Sequence, residues 1–134
     1  MAKCEVCGKE AEIHHVVNRW QGGIDFPLNY KYLCEEHHRG NNGPHKDCKL
    51  DIEYKLQMQE NLERILFKDF YTLKELEELL HINKSKMKKI IRSHKVYKEG
   101  YKKEEIIFKL MGNKRYEYYM LESYDDDFIP LFVG

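Results

Sequence analysis

The stretch Tyr32–Cys48, "YLCEEHHRGNNGPHKDC", decides how the rest of the chain is read. It holds two cysteines, three histidines, two asparagines and two glycines in seventeen residues. Thiols and imidazoles are the ligands that zinc prefers, and glycines let the backbone turn sharply enough for several of them to face one point. Upstream, "CEVC" puts Cys4 and Cys7 at C-x2-C spacing, with Gly8 following for a tight turn. After 26 intervening residues, Cys34 and His37 repeat the same spacing. Two such pairs predict one tetrahedral zinc site of Cys4, Cys7, Cys34 and His37. Cys48 or His38 can replace His37 on spacing alone.

Between the pairs, "EIHHVV" reads as a short strand, "GGIDFP" as a loop and "NYKYL" as a second strand entering Cys34. Beyond the histidine-rich loop, Leu50, Tyr54, Met58, Leu62, Ile65 and Leu66 fall at helical spacing, predicting a helix over 49–68. The order is knuckle, strand, loop, strand, knuckle, helix.

In that order, the pattern C-x2-C … HH … N-x4-C-x2-H-H resembles the zinc-knuckle HNH endonucleases, the ββα-metal nucleases common in phage and mobile elements. "LCEEHHRGNNGPH" is similar to a phage-type branch with the motif LC-x2-HHRG-x2-G-x-H. The resemblance covers roughly residues 4–60. It implies divalent-metal-dependent phosphodiester hydrolysis. His14 would face a catalytic ion, Mg2+ or another divalent metal, and His15 would be the general base that activates water. Asn29 would hold the base's imidazole, with Asn42 as a rival outside the family order. His38 would be a second ligand of the catalytic ion, with His45 competing for that place or completing the site. Many members carry Asp or Glu where this chain has His14, which softens the expected metal preference. Many also carry Cys in place of His37.

The chain has 134 residues and a formal net charge of zero, with the charges segregated. Residues 1–70 carry ten Lys/Arg and twelve Asp/Glu, residues 71–115 thirteen and six, and residues 116–134 none and five. A near-neutral module, a basic module and an acidic tail follow, with boundaries at 1–68, 70–115 and 116–134. In the basic part, Thr72 with Glu75 forms a capping box and Leu73, Leu76, Leu79 and Leu80 an apolar stripe. Asn83 or Ser85 caps a second helix with Met87, Ile90 and Ile91 on one face. Lys84, Lys86, Lys88, Lys89 and Arg92 lie on the other. Two helices across a short turn, the second basic, resemble a helix-turn-helix whose second helix reads DNA. A solvated charged face on a small bundle is the plainer reading. A third helix is expected to end near Gly112, and "YEYYML" reads as a strand. "DDDFIPLF" suits docking on a basic groove or a protein partner.

The expected architecture is α+β: a small zinc-stapled ββα-metal module followed by a mostly helical helix-turn-helix-like module. DNA is the expected partner, and the sequence leaves room for a homodimer. The start lacks the apolar core of a signal peptide and no run approaches the ~18 apolar residues of a membrane span. A cytoplasmic protein with reduced thiols is therefore expected. The alternative function is a catalytically inactive, zinc-containing DNA-binding or regulatory protein. Trp20 reads as a core or loop anchor or as a base-stacking residue, and His81 and His94 as ordinary surface or packing residues.

Overall fold

The structure, a computed structural model, describes residues 2–124. The elements run β1 (Glu12–His15), β2 (Tyr30–Leu33), α1 (Glu35–Arg39), α2 (Cys48–Ile65), β3 (Phe70–Tyr71), α3 (Leu73–Leu80), α4 (Lys84–Ile91), β4 (Tyr101–Lys102) and α5 (Lys103–Leu110). Short 3-10 turns occur at Arg19–Gln21, Pro27–Asn29 and Tyr118–Tyr124. The chain is a mixed α and β structure with small two-stranded sheets. Among the described residues no helix is long and apolar enough to cross a membrane.

β1 and β2 pair antiparallel, with His14 opposite Lys31 and His15 opposite Tyr30. Alternation along β1 turns Ile13 outward and buries His14. The loop between the strands is held from inside by Asn29. Its carboxamide accepts from Val17 N–H at 2.7 Å and donates to the carbonyls of Val17 and Ile24 at 3.0 and 2.9 Å.

Cys34 caps α1, and Asp47 caps α2 by accepting from Leu50 N–H at 3.1 Å. The apolar stripe of α2 buries Tyr54, Met58 and Leu62, and Leu66 is buried just past its end. The helix stops at Ile65 rather than at Lys68, because Lys68 N–H turns away to the Tyr71 hydroxyl at 2.7 Å.

In the basic part, Thr72 and Glu75 form the capping box reciprocally, at 3.2 and 3.0 Å. Asn83, not Ser85, caps α4, accepting from Lys86 N–H at 2.8 Å. α5 gives way to Met111 and Gly112, as its pattern predicts. This part is not purely helical: Phe70 pairs with Lys102 and Tyr71 with Tyr101, joining its start to the base of α5.

"YEYYML" is not a strand. Both main-chain groups of Tyr116 are taken by the Gln59 amide, at 2.7 and 2.9 Å, so no ladder can start there. Tyr118–Tyr124 instead forms a 3-10 segment against α2. The "DDDFIPLF" docking segment lies outside the described residues. A single core runs through both modules, from Phe26, Leu33 and Leu62 to Leu76, Met87 and Ile106.

Candidate metal centres

The sulfurs and imidazole of the two knuckle pairs converge. Cys7 Sγ lies 3.7 Å from Cys34 Sγ, and His37 Nδ1 lies 3.3 Å from Cys34 Sγ and 3.7 Å from Cys4 Sγ. Zinc–sulfur bonds of about 2.3 Å set a tetrahedral sulfur–sulfur edge of about 3.8 Å, whereas a disulfide needs about 2.05 Å. All four cysteines are free thiols. Two amides point at sulfur, Val6 N–H to Cys4 and His37 N–H to Cys34, at 3.4 and 3.5 Å. Burial opposes ionisation of Cys4, but main-chain hydrogen bonds from Cys34, Cys7 and Val6 overcome it and hold the thiol at about 6 against its usual 9.0. The four residues can hold a metal ion such as zinc. Cys48 opens α2 on the surface, and His38 belongs to a different cluster, so neither displaces His37.

That second cluster is His14, His38 and His45, whose ligand nitrogens all lie within 4.8 Å of one another. β1 supplies His14, α1 supplies His38, and the turn after α1 supplies His45. The turn folds back tightly: a Cβ on Gly43 would lie 2.4 Å from the His38 carbonyl oxygen, so only glycine fits. His38 Nε2 and His45 Nε2 are 2.9 Å apart. The Glu12 carboxylate accepts from His38 Nδ1 at 2.6 Å, which leaves Nε2 as the ring atom that faces the cluster. This carboxylate–imidazole pairing orients metal-ligating histidines in general. Arg39 Nε also donates to Glu12, at 3.0 Å. The His38 bond, chiefly, holds the Glu12 carboxyl below the usual range.

His14 is 2% exposed, and neither of its ring nitrogens has a hydrogen-bond partner. Such orphaned nitrogens are costly unless something unseen satisfies them. Burial first, then the charges of His38 and His45, pushes the His14 imidazole down to about 3. Burial and then His38 also lower His45. Ligand nitrogens that converge there, on rings whose protonation is disfavoured at His14 and His45, suit a cation. Three imidazoles without a carboxylate fit zinc or another transition ion; Mg2+ prefers oxygen ligands. The expectation of Mg2+ here therefore finds no support in the donor set.

His15, on the other face of β1, does not join this cluster. Its Nε2 meets Asp25 Oδ1 at 2.7 Å, its ring stands edge-on to Tyr30, and Asp25 Oδ2 accepts from Arg19 at 3.1 Å. The His15 bond is the main reason Asp25 sits below the ordinary carboxyl range. Asn29 does not touch the His15 ring; its carboxamide is spent on the main chain of the loop that carries Asp25. Asn42 lies in the turn after α1. On α4, Lys84, Lys88, Lys89 and Arg92 are exposed. Lys86 is instead half-buried and donates to the Asp25 main-chain oxygen at 2.7 Å. Trp20 is not a core residue, being 82% exposed.

Two partners, Glu12 and Asp25, were not among the expected site residues. Glu12 carried a signal, since strand alternation places it on the same face as His14. Asp25 sits in an irregular loop with no period, and only chain closure reveals it. No family model, no curated protein and no solved structure matches the chain.

Proposed function

We propose that the chain is a metal-dependent DNA endonuclease of the HNH type, hydrolysing phosphodiester bonds with His15 as general base. The observation that carries this reading is the juxtaposition on one hairpin of two different histidine sites. His14 belongs to the three-imidazole cluster, and the adjacent His15 is coupled to a carboxylate.

The geometry supports a division of labour. With Nε2–H donated to Asp25, Nδ1 of His15 is the atom left to take a proton from water, and Asp25 then stabilises the resulting imidazolium. Glu12 fixes the His38 ring, and His14, His38 and His45 would hold the ion. A divalent ion held there supplies neutralisation of the phosphoryl charge and of the leaving alkoxide. Asn29 acts one step back, keeping the loop that carries Asp25 in register. The exposed Lys84, Lys88, Lys89 and Arg92, in a segment with seven more basic than acidic residues, would contact the phosphate backbone.

The test is nicking of supercoiled plasmid by the zinc-loaded protein with Mn2+, Co2+, Ni2+, Zn2+ or Mg2+ added in turn. Cleavage by the wild type that is lost in His15→Ala, with DNA binding and zinc content retained, supports the reading. Binding without cleavage under every metal would leave a regulatory DNA-binding protein instead.

A further inference from the structure

Trp20 is the only tryptophan of the chain and is 82% exposed. The turn that carries it is not slack. Gln21 N–H and Gly23 N–H both donate to the Asn18 carbonyl at 2.9 Å, and Gly22 N–H donates to Arg19 at 3.0 Å. The Gln21 side chain accepts from Asn18 N–H at 3.1 Å. A Cβ on Gly23 would lie 1.8 Å from the Val17 carbonyl oxygen, so only glycine fits in this turn. The far module braces it as well: a Cβ on Gly112 would lie 2.3 Å from the Gln21 carbonyl oxygen. An indole is thus held outward on a rigid mount.

Its surroundings indicate what it meets. The preceding residue, Arg19, has a side chain 74% exposed and shares the Asp25 carboxylate with His15. Lys86 reaches the same residue from α4. Between Asn18 and Asp25, Trp20 is the only exposed large hydrophobic side chain. Protein-docking surfaces have contiguous apolar cores, whereas a single aromatic among cations is the arrangement that tracks a phosphate backbone and stacks on its bases.

We propose that Trp20 stacks on an unpaired nucleobase beside the phosphodiester presented to His15. The preferred substrate is then DNA with unpaired bases at the cut, whether single-stranded, gapped or flapped. In an intact duplex both faces of each internal base are covered by its neighbours, and exposing one requires unstacking. This inference rests on the nuclease reading above.

The single tryptophan is its own probe. The full-length zinc-loaded protein is titrated, without further divalent ion, with a labelled single-stranded oligonucleotide and with a dumbbell duplex of the same sequence closed at both ends by non-nucleotide linkers. Anisotropy of the label follows binding while indole emission follows stacking. Emission should be quenched at saturation by the single strand and not by the dumbbell, and abasic substitutions in the strand should abolish the quench. Trp20→Ala should lose about tenfold in affinity for the single strand, the contribution of one stacked base. Its affinity for the dumbbell should not change, and Trp20→Phe should retain most of the preference. A thermal melt of each variant shows whether the turn has survived; if Trp20→Ala melts early, Trp20→Phe and the abasic strands decide. Unquenched emission at saturation, or equal losses on both substrates, overturns the inference while leaving the nuclease reading intact. Failure to bind either DNA overturns both.

Discussion

Lys86 of α4 donates to the main-chain oxygen of Asp25 at 2.7 Å, across 61 residues of sequence. The basic helix is therefore tied to the loop whose carboxylate holds His15. Lys86→Met keeps the aliphatic stem and removes the donor. A charge-assisted bond, discounted for partial exposure, contributes about 1 kcal/mol, which predicts a drop of about 3–5 °C in Tm. Lys88→Ala combined with Lys89→Ala should leave Tm nearly unchanged, since both side chains are exposed. If α4 lies on DNA, that double variant lowers the slope of log affinity against log salt by about two. Calorimetry and a salt titration on the same proteins separate the two roles.

Removing one knuckle ligand should cost metal and stability together. Cys4→Ser is expected to lose the bound zinc and to melt far below the wild type, because binding energy in so small a module is folding energy. Cys48→Ser should change neither quantity, since Cys48 is exposed and outside the cluster. Metal analysis beside a melt reads both, and a Cys4→Ser protein with full zinc content would refute the assignment.

Glu12 bonds His38 Nδ1 and is not one of the three clustered histidines. Glu12→Gln should therefore weaken the ion held by His14, His38 and His45 by about 10- to 100-fold while leaving the knuckle ion in place. Titration calorimetry on knuckle-loaded protein measures this, and undiminished affinity would mean that Glu12 does not orient the ring.

The His14 imidazole sits at about 3 in the fold against an ordinary value of 6.5, with burial the main cause. The unfolded chain thus binds a proton that the fold refuses between those two values. Stability contributed by the neutral ring is complete above about pH 6.5 and is lost as pH falls toward 3, with a slope approaching about 1.4 kcal/mol per pH unit. Urea midpoints of protein lacking the second ion, taken from pH 7 to pH 4, should fall accordingly. His14→Leu should flatten that dependence, and identical slopes in the two proteins would show that other groups govern acid unfolding.

Much of this was legible in the residues because it is local. C-x2-C and C-x2-H spacing bring two ligands together within a turn, whatever the rest of the chain does. Thr72 with Glu75, and Asn83 before Lys84, announce helix starts because a cap needs only its own next three residues. The strand at "YEYYML" failed for the opposite reason: its β-favouring side chains were overruled by one distant amide, that of Gln59. Likewise β3 and β4 are two residues each, too short to show a period.

The residues alone set the ligand types, their spacing and the order of β1, β2 and the helices α2 to α5, since each depends on neighbours a few bonds away. Tertiary structure alone decided which groups serve those ligands. Asp25 reaches His15 across 10 residues, Glu12 reaches His38 across 26, and Lys86 reaches Asp25 across 61. Such pairings form when burial of a shared core closes the chain, and their geometry follows from packing rather than from any periodicity in the sequence.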